Sequence, residues 1–343
     1  EGARAYPRDP RFPTELAGLA FLVKHNDEAK RLLHHARRLG ATDPYVNEFL
    51  GTLYLLDGNV EATLALWNPT GKPVLADGPL ETGFEGILRP SLASDAVPFS
   101  AGHVLTRNEA LRAERISALL GVCGSERAIL EAAEGGRYRA QLQCVERASF
   151  GENRVASVLM LARGLGYQTI HLHLPNLQHR AWSWNSMLRW DARKRRLWME
   201  TAMPLAGRPG WRGGADGDAR HQYWQMLAPD TQAVDQAFLY RRVEAGVAVS
   251  AVLGPRTTWA NRLSLANRSF ANTVTLRPST TGEPALPGGS SVRYAHSLES
   301  DVYRNPFRRI KVTASGAGSF ERYLAMGSNI YRAEGSATVT WLP

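Results

Sequence analysis

The spacing of apolar residues changes along the chain and divides it into three parts. Over residues 1–73 apolar positions recur every three or four residues, which is the period of an amphipathic helix. Residues 74–150 mix helical spacing with short alternating stretches, and residues 151–343 alternate over segments of about ten residues. The pattern predicts a multi-domain α+β protein in which helices precede a small α/β module and an antiparallel β-domain.

The first part is predicted to form two helical hairpins. Helical spacing runs from Leu16 to Leu39, with Asn26-Asp27 as the turn and helix start between two short helices. Thr42-Asp43-Pro44 then begins a helix over residues 45–56, and a second helix returns over residues 60–67.

Small and large residues in the second hairpin resemble the packing pattern of a tetratricopeptide repeat, because Gly or Ala at a helix crossing lets Leu and Tyr interlock. The residues concerned are Leu50-Gly51, Tyr54, Gly58, Ala62 and Trp67, with a weaker echo at Ala17, Ala29 and Ala36. The resemblance implies a surface for accessory proteins, and a spacer role stays open. His34 and His35 are interpreted as a polar face, since no matching pair lies one turn away.

Residues 74–150 are predicted to follow the order strand, helix, helix, strand, strand. The elements are an extended Val74 to Thr82, a short helix Gly86 to Leu92, a helix from the Thr106 cap through Glu109 to Leu120, and strands Ala128 to Ala133 and Tyr138 to Val145 joined by Glu134-Gly135-Gly136. This order resembles a POTRA domain, the periplasmic polypeptide-binding module of outer-membrane translocases. The resemblance implies binding of client backbone at an open strand edge, and a purely structural connector remains the alternative.

Strict alternation in residues 151–343 indicates membrane-spanning strands. Apolar and polar faces separate as follows: Trp182, Trp184, Leu188 and Trp190 against Ser183, Asn185 and Arg189; Leu197, Met199, Met203 and Leu205; Val243, Val247, Val249 and Leu253 against Arg242, Glu244 and Ser250; Trp259, Leu263 and Leu265 against Arg262, Ser264 and Arg268; Ile310 and Val312 against Lys311 and Thr313; and Tyr331, Ala333, Ala337, Val339 and Trp341 against Arg332, Glu334, Ser336, Thr338 and Thr340. Aromatics near strand ends opposite Arg and Glu are typical of a transmembrane β-barrel with a wet lumen.

The turns are predicted to alternate in length, which is also typical of a barrel. Short turns fall at residues 191–194 and 254–256, and longer Gly- and Pro-rich loops at Arg208 to Asp218 and Pro278 to Ser290. The strand count comes to about eight. Arg154 to Gly164 fits either a short helix leading into the barrel or its first strand.

Composition narrows the possible partners. The formal charge is +9, but the arginines are spread along the β-rich part, which argues against nucleic acid as a partner.

Cys123 and Cys144 do not have the spacing of a metal site. Two unpaired buried thiols are favoured over one disulfide. No apolar run reaches the ~20 residues of a membrane-spanning helix. The chain starts at Glu1 without Met or a signal peptide and ends at residues 341–343 directly after a strong strand pattern, so we expect a fragment that lacks a targeting segment and the C-terminal remainder.

The whole pattern resembles the BamA/TamA-type outer-membrane assembly family, in members that carry tetratricopeptide-like helices before a POTRA module. The residues that carry the resemblance are Gly58 to Pro73, Tyr167-Gln168-Thr169 with Asn176-Leu177, Arg189-Trp190-Asp191 with Lys194-Arg195-Arg196, and Trp341-Leu342-Pro343. It implies a non-catalytic factor, without ATP or a cofactor, that inserts or translocates unfolded β-barrel clients. It places residues 1–150 in the periplasm of a Gram-negative-type bacterium and the β-part in the outer-membrane bilayer, as the start of a barrel of about sixteen strands. Only one POTRA-like unit is legible, and the family's Arg-bearing late-loop motif is not found.

Two other classes of function remain. A soluble or surface adhesin, binding carbohydrate or protein, would place its aromatics on loops, whereas here they alternate within strands. A barrel lipase or protease needs a nucleophile, a His and a carboxylate, and the sequence has neither a GxSxG elbow nor an HExxH motif beside His171, His173, His179, His221 and His296. No catalytic, cofactor-binding or metal-binding residue is therefore assigned.

Overall fold

The computed structural model describes residues 6–77, 82–150, 154–227, 234–275, 288–325 and 327–341. Helices occupy the N-terminal part, and nearly all strands lie in one antiparallel sheet formed by the C-terminal part. None of the helices described is long and apolar enough to cross a membrane.

Four helices form two hairpins at the N-terminus. They are α1 (Arg11–Leu22), α2 (Asn26–Arg38), α3 (Pro44–Leu56) and α4 (Val60–Trp67), and a 3₁₀ turn follows at Asn68–Thr70. Asp43 caps α3 by accepting a hydrogen bond from the Tyr45 amide, and Asn59 caps α4 through the Ala62 amide. Two helical hairpins are present, as the sequence predicts.

The turn between α1 and α2 was predicted at Asn26-Asp27, and this position is wrong. The chain turns at residues 23–25, where Lys24 has φ +63°, and Asn26 already begins α2. Asp27 then lies in the first helical turn, where its negative charge meets the positive end of the helix dipole. Asn26 is the first residue of the helix, and the preceding His25 makes no side-chain cap.

The α/β module contains α5 (Pro90–Ala96), α6 (Arg107–Leu120), β1 (Cys123–Ala132) and β2 (Tyr138–Glu146), with a 3₁₀ turn at Glu134–Gly136 between the strands. The predicted capping box is confirmed: Thr106 and Glu109 exchange side-chain-to-amide hydrogen bonds at the start of α6. The strands pair antiparallel, as predicted.

Two predictions in this module need correction. The helix predicted over Gly86 to Leu92 begins at Pro90, because Gly86 has φ +77° and cannot enter a helix, whereas proline suits the first helical turn. The extended segment from Val74 to Thr82 is not a continuous strand: it forms isolated bridges of Val74 to Val104 and of Leu75 to Tyr138, and Thr82 accepts a hydrogen bond from the Leu142 amide. Residues 78–81 of that prediction lie outside the described residues.

Cys123 and Cys144 are joined by a disulfide bond, so the prediction of two unpaired thiols is wrong. The register of β1 against β2 accounts for the disulfide bond. It pairs Cys144 with Glu126, and the Cα atoms of Cys123 and Cys144 then lie 5.4 Å apart. A shift in register between Cys123 and Ser125 adjusts the strand beside the bridge. The pairing depends on strand register, which the spacing of two cysteines does not reveal.

The helical hairpins and the α/β module share one hydrophobic core. Leu33 and Leu50 from the hairpins and Phe84 and Leu142 from the module are fully buried in the same cluster. The Trp67 ring lies 5.1 Å from the ring of Tyr138 on β2. It also occupies the space beside Gly51, where a Cβ would overlap the indole Nε1. The close approach of α3 and α4 therefore requires glycine at that position.

Within the part of the chain that the structure describes, nine strands in sequential order form the large sheet, against a predicted count of about eight. They are β3 (Thr169–Leu177), β4 (Trp182–Trp190), β5 (Lys194–Leu205), β6 (Arg208–Leu227), β7 (Val234–Val252), β8 (Thr257–Thr275), β9 (Gly289–Asn305), β10 (Ile310–Tyr323) and β11 (Asn329–Trp341). All neighbours pair antiparallel, and within the described residues β3 and β11 are the two edges of an open sheet.

The long loop predicted at Arg208 to Asp218 is wrong, since this segment is the first half of β6. Its glycines lie beside large side chains of β5 instead of forming a turn. A Cβ at Gly213 would lie 3.0 Å from Leu205, and one at Gly217 would lie 3.6 Å from Met199. The short turns predicted at residues 191–194 and 254–256 are present, and residues 278–287 of the second predicted loop lie outside the described residues.

Arg154–Gly166 is a helix, α7, which decides between the two structures that the sequence allows. Only Gly164 is buried among the residues of α7 whose side chains are described. The helix packs against the start of β3, where a Cβ on Gly164 would lie 2.8 Å from the carbonyl oxygen of Thr169.

Candidate functional site

Strand β1 of the α/β module has an open edge. The amide of Leu142 on β2 donates to Thr82, away from β1, so Leu142 and its partner Ala128 form a non-hydrogen-bonded pair. By the two-residue alternation, the backbone groups of Glu126, Ala128, Leu130 and Ala132 all point away from β2. No other backbone segment of the described residues pairs with them. Ala128 and Leu130 are nearly buried, at 7% and 5% exposure, so this edge carries unpaired donors and acceptors but presents little of its backbone to solvent.

A cavity of about 240 Å³ lies next to the open edge. Its lining comes from four places in the chain: the turn before α4, helix α6, the edge of β1 and the β9–β10 turn. Arg127 on β1 donates a hydrogen bond to the carbonyl oxygen of Gly58 and so closes one end. Burial raises the pKa of the Glu126 carboxyl above its ordinary value, and burial likewise raises the pKa of Glu114 on α6.

The outer face of the nine-stranded sheet is apolar and exposed. Val243 is 63% exposed, Leu265 62% and Val302 62%, values that are unusual for large apolar side chains in the middle of strands. Further side chains of this face are Leu188, Leu197, Met203, Val247, Leu263 and Val339. They lie on β4, β5, β7, β8, β9 and β11, and we call this apolar surface the outer band.

The inner face of the same sheet buries charges. Asp218 and Glu244 are each 7% exposed. The Asp218 carboxylate accepts hydrogen bonds from Arg196 at 2.7 and 2.9 Å and from Arg220 at 2.8 Å. The Glu244 carboxylate accepts one from Arg262 at 2.8 Å. Each buried acid therefore has at least one guanidinium partner, which offsets the cost of removing its charge from water.

A second ion-pair cluster joins the sheet to the other two parts of the chain. Arg304 on β9 contacts Glu61 on α4 at 2.6 Å and Glu114 on α6 at 3.2 Å. Arg115 on α6 contacts Asp301 on β9 at 2.6 Å. We call this cluster the junction. It fixes the helices at one end of the sheet.

The β9–β10 turn inserts an aromatic ring between the helical hairpins. The Phe307 ring lies 5.4 Å from that of Tyr54 and 5.7 Å from that of His34. His34 Nε2 and the Tyr54 hydroxyl are 2.8 Å apart. Asn59 on the same side donates a hydrogen bond of 2.9 Å to the carbonyl oxygen of Pro306. This turn is therefore a second contact between the sheet and the first part of the chain, beside the junction.

The histidines considered for an enzyme lie in different places. His173 is on the inner face of β3 beside Asn185, His179 contacts the carbonyl oxygen of Ile87, and His296 lies against Gly318 on β9 and β10. Among the described residues no group of three or more potential metal ligands is found. The open edge and the junction were not identified residue by residue from the sequence, and no local pattern marks either of them.

No protein-family model matches the chain, and no curated protein is significantly similar to it. Solved structures do match. BamA from Haemophilus ducreyi lacking POTRA domains 1–3 has 8% identity and a TM-score of 0.33, over 71% of this chain and 55% of that one. CdiB from Acinetobacter baumannii has 12% identity and a TM-score of 0.41, over 94% of this chain. The chain spans 61% of that protein's length.

Proposed function

We propose that this chain belongs to an outer-membrane β-barrel protein of the BamA/TamA type, which inserts or translocates other polypeptides without catalysing a reaction. In this proposal the nine strands lie in the outer membrane of a Gram-negative-type bacterium. Residues 1–150 lie in the periplasm, with tetratricopeptide-like hairpins and a POTRA-like module. The partners are the lipid bilayer, unfolded client strands and accessory proteins at the hairpins.

The proposal rests on the polarity of the two faces of the sheet, which is the reverse of that in a water-soluble protein. A sheet in a water-soluble sandwich buries its apolar face, whereas this one exposes Val243 and Leu265 and buries Asp218 and Glu244. Leaving a large aliphatic side chain in water forgoes about 1.5–3 kcal/mol each. Repeated on six strands, this arrangement is favourable only where lipid covers the outer band and water or protein fills the inner side.

Fractionation of the protein as its cell expresses it, followed by electrophoresis of the membrane fraction with and without boiling, tests the membrane location. A closed barrel is expected to sediment with the outer membrane and to migrate faster unboiled than boiled. A protein recovered entirely in the soluble fraction would overturn the proposal and favour a soluble β-domain that binds its ligands through aromatic side chains.

The open edge of β1 supports the proposed handling of clients. An extended polypeptide that displaces the groups covering Ala128 and Leu130 would pair with β1 through backbone groups alone, which gives affinity with little preference for sequence. Such binding suits a factor that receives many different unfolded β-barrel strands. The cavity beside the edge leaves room for the start of that added strand, between β1 and the junction.

A further inference from the structure

We propose that helix α7 lies in the bilayer in contact with lipid, as a short apolar helix attached to the edge of the sheet. The inference rests on the proposed membrane location of the sheet and extends it to a segment that is not a strand. It identifies the partner of α7 as phosphate-bearing lipid, in preference to a second protein surface.

The exposed surface of α7 is apolar over most of the helix. Val155 is 69% exposed, Val158 63%, Leu159 64% and Leu165 63%. Met160 and Leu161 are also exposed. A helix with this surface is stable either inside a protein core or in lipid. The hydrophobic core formed by the described residues includes none from α7.

The attachment of α7 makes this surface continuous with the outer band. At Gly164, a Cβ would lie 2.9 Å from Cγ1 of Ile170 on β3, so helix and strand are in direct contact there. Ile170 pairs with Leu188 on β4, and Leu188 pairs with Leu197 on β5. Leu188 and Leu197 both belong to the outer band. Any lipid that covers the outer band at β4 therefore also reaches α7.

Helix α7 lies at the end of β3 that is remote from the α/β module. The far end of β3 approaches the module, where Asn176 donates a hydrogen bond of 2.8 Å to the carbonyl oxygen of Ile87. The opposite end, at Thr169, follows α7 directly. At 13 residues the helix is about 20 Å long, shorter than the ~30 Å hydrocarbon core, so it occupies part of the bilayer depth.

The charged residues of α7 match a lipid headgroup region. Arg154 and Arg163 are its only charged residues, and the segment contains no Asp or Glu. The Arg163 guanidinium lies over the Tyr167 ring, 5.7 Å from its centroid. An arginine and a tyrosine at the end of an apolar helix are typical of the boundary between hydrocarbon and headgroups, where the guanidinium meets phosphate.

Lipid contact can be measured with an environment-sensitive fluorophore on single engineered cysteines. The two native cysteines form a disulfide, so the label reacts only with the introduced cysteine. Leu159→Cys reports on α7, Val247→Cys on the outer band, and His35→Cys on the exposed side of α2. Each labelled protein is reconstituted into vesicles of phosphatidylcholine and phosphatidylglycerol, with and without a doxyl-labelled lipid as quencher, after the boiling-dependent mobility shift has verified folding.

We expect the doxyl lipid to reduce the emission at positions 159 and 247 roughly twofold or more, with little change at position 35. Quenching at 247 without quenching at 159 would overturn the lipid contact of α7 and leave the membrane location of the sheet intact. A lack of quenching at both positions would overturn the membrane location itself. Disulfide-linked dimers of the unlabelled Leu159→Cys variant, together with unquenched emission from its labelled form, would show a second copy as the partner and would also overturn the proposal.

Discussion

Arg304 on β9 donates a hydrogen bond of 2.6 Å from its Nε to the carboxylate of Glu61 on α4, although 243 residues separate the two. Both side chains are nearly buried, at 10% and 11% exposure. Glu61 also accepts a hydrogen bond of 2.6 Å from Arg107, so one carboxylate holds together a strand of the sheet, a helix of the hairpins and the start of α6. The junction is thereby a single linked network.

Glu61→Gln is expected to loosen the sheet from the helices. The substitution leaves the Arg107 and Arg304 guanidinium groups in a nearly buried site without their shared negative charge, at a cost of about 3 kcal/mol. Amide hydrogen exchange in the β9–β10 turn should then become roughly a hundredfold faster, which is the same free energy expressed as a rate ratio. Glu28→Gln is the matched control, because Glu28 lies on the surface of α2, where it contacts His25 at 3.7 Å. Equal exchange in the two variants would contradict a stabilising role for the junction.

Glu126→Pro is expected to weaken the binding of client strands at β1. Proline removes the outward amide at position 126, and it is tolerated on the free side of an edge strand. Loss of one intermolecular hydrogen bond at about 1 kcal/mol corresponds to roughly fivefold weaker binding. The change in affinity is measured by fluorescence anisotropy of a labelled peptide in which apolar and polar residues alternate as in a barrel strand.

The control for that variant is Glu126→Gln, which keeps the amide and should bind as the parent does. If the proline variant also binds the peptide with the parent's affinity, the added strand does not pair at this edge.

Glu126 also predicts how stability depends on pH. Burial raises the pKa of its carboxyl in the folded state, so between the ordinary value of 4.5 and the raised value the folded state holds more protons than the unfolded state. Stability contributed by this group is therefore lost as the pH rises through that window. Glu126→Gln should be more stable than the parent near neutral pH and indistinguishable from it well below the ordinary pKa.

Denaturant unfolding at the two pH values tests this difference. Glu131→Gln, at an exposed position of the same strand, is the control. A parent that gains stability relative to Glu126→Gln on going to neutral pH would contradict the predicted sign.

Reduction of the disulfide between Cys123 and Cys144 is expected to destabilise the α/β module. The bridge closes a loop across a sequence separation of 21 residues, and cross-links of this size contribute about 3 kcal/mol through the entropy of the unfolded chain. Thermal unfolding with and without a reductant should therefore differ in midpoint. A Cys123→Ser/Cys144→Ser double variant should show no effect of the reductant, and an unshifted midpoint in the parent would contradict the prediction.

Local chemistry explains which helices could be predicted. Thr106 and Glu109 begin α6 through contacts three residues apart, and Asp43 with Pro44 begins α3 in the same way. Such interactions involve neighbouring residues only, so the sequence contains all the information that they require. The helix predicted at Gly86 fails for a reason of the same kind, since Gly86 takes a left-handed conformation and Pro90 supplies the stronger start.

The glycine-rich segment after Arg208 shows where a local interpretation fails. Glycines commonly mark a loop, yet Gly213 and Gly217 lie in β6 beside large side chains of β5. Their role is set by the neighbouring strand, and the sequence of the segment alone does not specify that neighbour. The undecided segment at α7 is a similar case, because its apolar residues fit a helix or a strand until its contact with β3 is known.

The sequence by itself determined the periods of the three parts and the two faces of the strands, because a side chain's direction follows from backbone geometry at each successive residue. Only the tertiary structure decided that β1 keeps an open edge, that Cys123 pairs with Cys144, and that Arg304 meets Glu61. These features depend on strand register and on the path of the chain between distant residues. Periodicity determines which face a side chain lies on, and the packing of the whole chain determines which residue it contacts there.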